Sequence, residues 1–232
     1  GSVGEMTAEV FHKGMGSIAE RNYRPHITCA RITPDGKFLT ASDVGLDQVK
    51  LYGFDAKTGA IKLVDILRCE LESSPRSMIF SPDGGFAYLI CQLKNCVNVY
   101  TYNSDDGMPH FEMIQQISTL GKSYNDKSAV AAIKQSVDGK YIFCSNAGDN
   151  SIAFFVRDEK TGMLTKNCVL PISGDYPKNM CIFPDNKHIA SLNHESNEIT
   201  FFTIDYENGL LIQHGKPMQV ETPNCAVIKK LS

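Results

Sequence analysis

Arg76, Lys178 and His194 are the side chains best suited to chemistry on an anionic substrate. Arginine presents a planar fork to a phosphate or carboxylate, and lysine a point charge. Histidine titrates near neutrality and can take a proton from water. Each stands at a fixed count from a recurring Asp turn: Arg76 and Lys178 seven residues before one, His194 nine residues after one. The earlier count also selects Thr28 and Ala131, with Asn224 continuing the series near the chain's end, and the later count selects Val44, Gln92 and Ala147. Arg76 and His194 are the candidate catalytic pair. Lys178, Gln92, Thr28, Asn146 and Asn224 are candidate substrate-binding groups. The plainer alternatives are that Arg76 and Lys178 pair with inner-strand carbonyls or aspartates, and that His194, between Asn193 and Glu195, is a solvated loop residue.

What must position these residues is a repeat. Four turn signals, Pro34-Asp-Gly-Lys37, Pro82-Asp-Gly-Gly85, Val137-Asp-Gly-Lys140 and Pro184-Asp-Asn-Lys187, place aspartates 48, 55 and 47 residues apart. At one offset after each comes an alternating β-branched or aromatic run: Gln48–Asp55, Cys96–Asn103, Ser151–Asp158 and Glu198–Asp205. A polar turn and another apolar stretch follow, so each repeat reads as four short strands, the pattern of a propeller blade. The inner strands fall at Ile27–Ile32, Ser77–Phe80, Val130–Lys134 and Asn179–Phe183. The expected fold is an all-β propeller in one domain, 1–232, with complete four-stranded blades near 26–66, 74–117, 128–170 and 178–214. Residues 1–12 look like the turn and outer strand of a partial blade, and 223–229, with an inner strand at Cys225–Lys229, like another. These loose ends point to a larger ring that lacks here roughly two blades and parts of two others, although a ring closed at four is the alternative. Extra length around Met108–Lys127 reads as a surface insertion. The four anchoring aspartates are turn residues rather than a carboxylate set. Because inner strands line a propeller's channel, residues at equal counts form rings around its axis.

Composition narrows the function classes. With 23 Lys+Arg against 26 Asp+Glu, the chain has no basic patch for nucleic acid or anionic lipid. Its apolar runs, such as Phe86–Cys91, are far short of a membrane span. The 8 cysteines form no C-x2-C pair, which argues against a zinc or redox centre and for buried thiols in a reducing cytoplasm. No metal or cofactor is expected. The expected partner is a small anionic metabolite, with self-association to complete a ring left open.

The motifs Arg24-Pro-His26 before Ile32–Leu39, Ser42-Asp-Val-Gly45, Pro75-Arg76 before Phe80–Gly84, Ser145-Asn146 before Gly148–Ala153 and Asp175-Tyr-Pro-Lys178 resemble the seven-bladed propeller lactonases, the family of bacterial 6-phosphogluconolactonase and carboxy-muconate cyclase. The likeness covers the whole chain and matches the C-terminal two thirds of such a protein. It implies an active site of a His, an Arg, a Glu and a second Arg, which fall here on Thr28, Arg76, Gln92 and Ala147. Only the arginine at 76 is kept, so His194 stands as the replacement base. Two readings follow. One is a lactonase opening a 6-phosphogluconolactone-like sugar lactone, and the other is a catalytically silent propeller that binds an anionic metabolite or a protein.

Overall fold

A computed structural model of the chain describes residues 4–16 and 24–228. Four antiparallel sheets follow one another along the chain, each with its strands hydrogen-bonded in sequence order. The first is β1 (Ile27–Ile32), β2 (Phe38–Asp43), β3 (Gln48–Phe54) and β4 (Ile61–Arg68). The second is β5 (Pro75–Phe80), β6 (Phe86–Cys91), β7 (Cys96–Asn103) and β8 (His110–Ser118). The third is β9 (Ala129–Gln135), β10 (Tyr141–Ala147), β11 (Ser151–Arg157) and β12 (Leu164–Pro171). The fourth is β13 (Pro177–Ile182), β14 (His188–Asn193), β15 (Glu198–Asp205) and β16 (Leu210–Gln213). These are propeller blades, and no helix occurs among the described residues, so none is long and apolar enough to cross a membrane.

Each Asp turn closes the hairpin between a blade's first two strands. Asp83 Oδ1 accepts from Ser81 Oγ at 2.6 Å and from the Gly85 N–H at 2.9 Å, and Asp138 Oδ1 accepts from Ser136 Oγ at 2.6 Å. The same carboxylates tie neighbouring blades together. Asp35 Oδ2 accepts from Ser104 Oγ at 2.5 Å and Tyr102 Oη at 3.0 Å, and Arg157 of the third blade reaches Asp83 of the second. Burial alone would raise the Asp35 pKa, but the hydrogen bonds from Ser104, Thr33, the Lys37 amide and Tyr102 together hold it below the ordinary carboxylate value. Asp83, Asp138 and Asp185 are held down likewise. A carboxylate with a lowered folded-state pKa contributes stability that is present above the unfolded value and lost as pH falls through the folded one. Urea midpoints are therefore expected to hold steady from neutrality down to about pH 4 and to drop below it, and an Asp35→Asn variant to flatten that drop.

The core lies between blades. Val49 and Leu51 of β3 pack with Met78, Leu89 and Tyr100 of the second blade, while Tyr88, Ile90 and Val99 pack with Val130, Ile142 and Phe155 of the third. Phe143, Phe154, Met180 and Phe202 continue the series to the fourth. The aromatic residues of the alternating runs are thus blade-to-blade packing, with Phe154 and Phe155 both fully buried. Cys91, Cys96, Cys144 and Cys181 are buried free thiols, whereas Cys225 is exposed.

The structure differs from the sequence reading at three edges. Within Met108–Lys127, residues 110–118 are the outer strand β8, so the extra length is confined to the loop running on to Ser128. The fourth blade extends past residue 214: after Gly215, with φ 73°, and Pro217, which cannot donate to a ladder, the chain returns as β17 (Met218–Gln219) to pair with Glu198 and Ile199. Residues 4–16 and 225–228 form no strand. The rest of those two expected segments, 1–3 and Lys229, lies outside the described residues.

Candidate functional site

One device places the channel side chains. The ladder between a blade's first two strands slips once, between Ile27 and Cys29, between Pro75 and Ser77, between Val130 and Ala132, and between Pro177 and Asn179. The residues left out of register are Thr28, Arg76, Ala131 and Lys178, the ring selected by counting seven back from each Asp turn. A bulge bends its strand and re-aims the unpaired side chain. Here it turns the ring toward one cavity of about 190 Å³, lined by Thr28, Arg76, Ala131, Lys178 and Asn224 among others.

Adjacent members of the ring are hydrogen-bonded from blade to blade. Thr28 Oγ1 donates to the Arg76 carbonyl at 2.6 Å, and Arg76 Nε donates to the Ala131 carbonyl at 2.8 Å. Arg76 therefore does take an inner-strand carbonyl, and its Nη1 donates to Gln92 Oε1 at 2.9 Å. Gln92 is an orienting partner for the guanidinium. Two bonds leave other N–H groups of the fork uncommitted, and Arg76 has no carboxylate partner among the described residues. Burial lowers its pKa and nearby Tyr176 opposes that shift; the group starts so far above neutrality that it stays charged. At the far side of the cavity, Asn179 Nδ2 donates to the Asn224 carbonyl at 3.3 Å and holds the terminal segment against β13.

Three of the expected residues lie off the cavity's lining: Gln92, which holds the guanidinium, and Asn146 and His194. Asn146 is fully buried and its Nδ2 donates to the Thr119 carbonyl and to Ser151 Oγ, both at 3.0 Å. Asn193 repeats this arrangement in the fourth blade, toward the Ser173 carbonyl and Thr200 Oγ1. Asn146 is thus a blade-closing residue and not part of the cavity wall. His194 lies next to the site, not on the cavity's lining: its ring stands 6.3 Å from that of Tyr176, and its N–H donates to the Tyr176 carbonyl at 2.9 Å. Its Nδ1 is buried without a partner, which leaves Nε2 as the nitrogen that can meet a ligand.

Two further residues were not anticipated. Lys134 lies deeper on β9 and lines the same cavity as Arg76 and Lys178. Among the described residues, three cationic side chains and no carboxylate therefore line this space. Lys134 stands three positions past the bulge, so a second ring counted along the inner strands would have found it. Tyr176, just before the Lys178 bulge, lines a second cavity of about 550 Å³ together with Ala129, Ala147 and Gly148. Its signal in the sequence was a large aromatic residue at the start of an inner strand.

Comparison with known proteins agrees with this architecture. The family described as "Lactonase, 7-bladed beta-propeller" matches residues 1–228. The 6-phosphogluconolactonase of Bacillus subtilis (strain 168) is 29% identical over 225 residues, covering 97% of this chain and 63% of that protein. A Bacteroides fragilis protein of known structure superposes with a TM-score of 0.83 at 33% identity, covering 94% of this chain and 62% of that one. The periplasmic gluconolactonase of Pseudomonas aeruginosa shares the fold, with a TM-score of 0.84 at 24% identity. The chain spans a little over three fifths of the length of these relatives. Blade architecture and family match agree: the chain belongs to the seven-bladed β-propeller lactonases.

Proposed function

We propose that the protein binds an anionic sugar-acid lactone in its channel and opens it by hydrolysis, with a 6-phosphogluconolactone-like compound as the substrate class. The observation that carries this reading is the cavity where Arg76, Lys134 and Lys178 meet no opposing carboxylate among the described residues. Such a space favours a phosphate or carboxylate, and a cation fixed in low dielectric stabilises the oxyanion of a tetrahedral intermediate. In this scheme Arg76 polarises the lactone carbonyl while Lys178 and Lys134 hold the anionic group, with Thr28 and Asn224 as polar neighbours. Water adds to the carbonyl carbon, His194 takes its proton, and the imidazolium returns that proton to the departing ring oxygen. Membership of a lactonase family supports this chemistry.

A second reading, a silent propeller that binds an anionic metabolite, is favoured by one observation: among the described residues no imidazole or carboxylate lines the cationic cavity. A single assay separates the two. The full chain is mixed with a phosphorylated δ-lactone and opening is followed above the spontaneous rate. Acceleration supports the lactonase, and His194→Ala is then expected to cut kcat by about a hundredfold or more with KM little changed. Binding without acceleration supports the silent propeller. An undiminished rate in His194→Ala removes that residue from the mechanism.

A further inference from the structure

Tyr176 has features that blade packing does not account for. Its φ is 57°, a left-handed conformation that bulky side chains rarely adopt and that glycine or asparagine takes without strain. The residue at the same count in the second blade, Ser74, has φ 55° but carries a small side chain. At Tyr176 the conformation is clamped. Its N–H donates to Asn150 Oδ1 at 2.9 Å, Asn150 Nδ2 donates to Asp175 Oδ1 at 2.9 Å, and the Tyr176 carbonyl accepts from the His194 N–H. Strain that is over-determined by its surroundings gathers at ligand-binding positions.

The clamp holds the ring where a ligand can reach it. Tyr176 is half-buried, its nearest recorded ring neighbour is His194 at 6.3 Å, and its hydroxyl makes no hydrogen bond among the described residues. It walls the 550 Å³ cavity, a volume in the range of small-molecule sites. Ala147 and Gly148 in its lining have little side chain to fill the space, and Asp126 and Lys127 bring an acceptor and a donor for hydroxyl groups. Tyr176 and Ala129 of this cavity each stand two residues before a residue lining the cationic cavity, Lys178 and Ala131, so the aromatic wall adjoins that cavity.

We propose that Tyr176 is a substrate-contacting specificity residue, the wall on which the ring of a polyhydroxylated ligand stacks while Lys134 and Lys178 hold the ligand's anionic group. A hexose-type ring presents an apolar C–H face to an aromatic and a rim of hydroxyls to polar side chains, and this cavity's lining holds both Tyr176 and the polar pair Asp126 and Lys127. The inference rests on the anion-binding reading above and adds a ring subsite to it.

The test is calorimetric titration of the full chain with two probes, inorganic phosphate and glucose 6-phosphate, which reports the anion subsite and the ring subsite separately. Tyr176→Gly removes the ring where glycine suits the backbone, so its Tm is expected to match or exceed the parent's. It should weaken glucose 6-phosphate about tenfold and leave phosphate affinity within a factor of two. Tyr176→Phe, which keeps the ring, should bind both probes as the parent does. If the parent binds glucose 6-phosphate no more tightly than phosphate, or if Tyr176→Gly binds both unchanged or loses both equally, the ring subsite is overturned while the anion site stands. If the parent binds neither probe, the anion-binding reading fails, and this inference with it.

Discussion

Arg76→Ala is expected to lower kcat/KM for an anionic δ-lactone on the order of a hundredfold, the loss seen when one fixed donor to a developing oxyanion is removed. In a silent binder, the same change should weaken the anionic ligand instead. The effect has two parts that further variants separate. Arg76 supplies charge, and it bridges two blades by donating to the Ala131 carbonyl and to Gln92. Truncation leaves both acceptors without this donor, a cost of about 1–3 kcal/mol in stability. Arg76→Lys keeps the charge but loses the fork, so it should recover only part of the rate. Gln92→Ala keeps the charge and releases one of its tethers, and should give a smaller loss, expressed mainly in kcat. Urea unfolding followed alongside steady-state kinetics distinguishes lost chemistry from lost folding. A fully active Arg76→Ala would remove the channel cation from the reaction.

The largest stability effect is expected at His12. This side chain is 2% exposed and Asp43 beneath it is wholly buried. His12 Nδ1 donates to Asp43 Oδ2 at 2.5 Å, and its Nε2 meets the Tyr52 hydroxyl at 2.9 Å. Asp43 Oδ1 meanwhile accepts from the amides of His26 and Gly45. Burial, and then the Asp43 charge, raise the Tyr52 pKa, so its hydroxyl stays protonated and can donate. His12→Ala strands a buried carboxylate oxygen and removes the main anchor of residues 4–16 on the first blade. A loss of about 3 kcal/mol is expected, the upper end of the cost of leaving a buried acceptor without its donor, since this acceptor is a carboxylate oxygen. Urea midpoints measure the loss, and limited trypsin digestion should cut at Lys13 in the variant before it cuts the parent. A variant as stable and as protease-resistant as the parent would show that the contact contributes nothing.

The sequence disclosed the blades because a strand's period of two and its bounding turns are local properties. The Asp turns and the alternating runs needed no tertiary information, and β7 and β15 occupy the stretches the pattern marked. Counting from the turns also located the ring of Thr28, Arg76, Ala131 and Lys178, since equal spacing in a repeat means equivalent positions in space. The bulge that turns this ring inward was not legible, because its occupants share no composition. Asn146 was misplaced for a simple reason: it neighbours Ala147 on one strand, and successive side chains point to opposite faces. Ala147 borders the larger cavity, so Asn146 faces into the blade. His12 escaped notice because its partners, Asp43 and Tyr52, lie 31 and 40 residues away, and nothing in a loop histidine's neighbours announces such contacts. Tyr176 was hidden because its type argues against the backbone conformation it holds.

The slipped residue of each inner strand belongs to no pairing ladder, so exchanging its side chain breaks no ladder bond within its blade. Threonine, arginine, alanine and lysine occupy that place in four successive blades with the same offset on either side. Reactivity at the axis can therefore drift, be lost or be reinvented by exchanging single side chains, while the scaffold around it stays intact. Within such an architecture, likeness of shape is a poor guide to which molecule is turned over, and the few unpaired positions facing the hollow are the ones to compare.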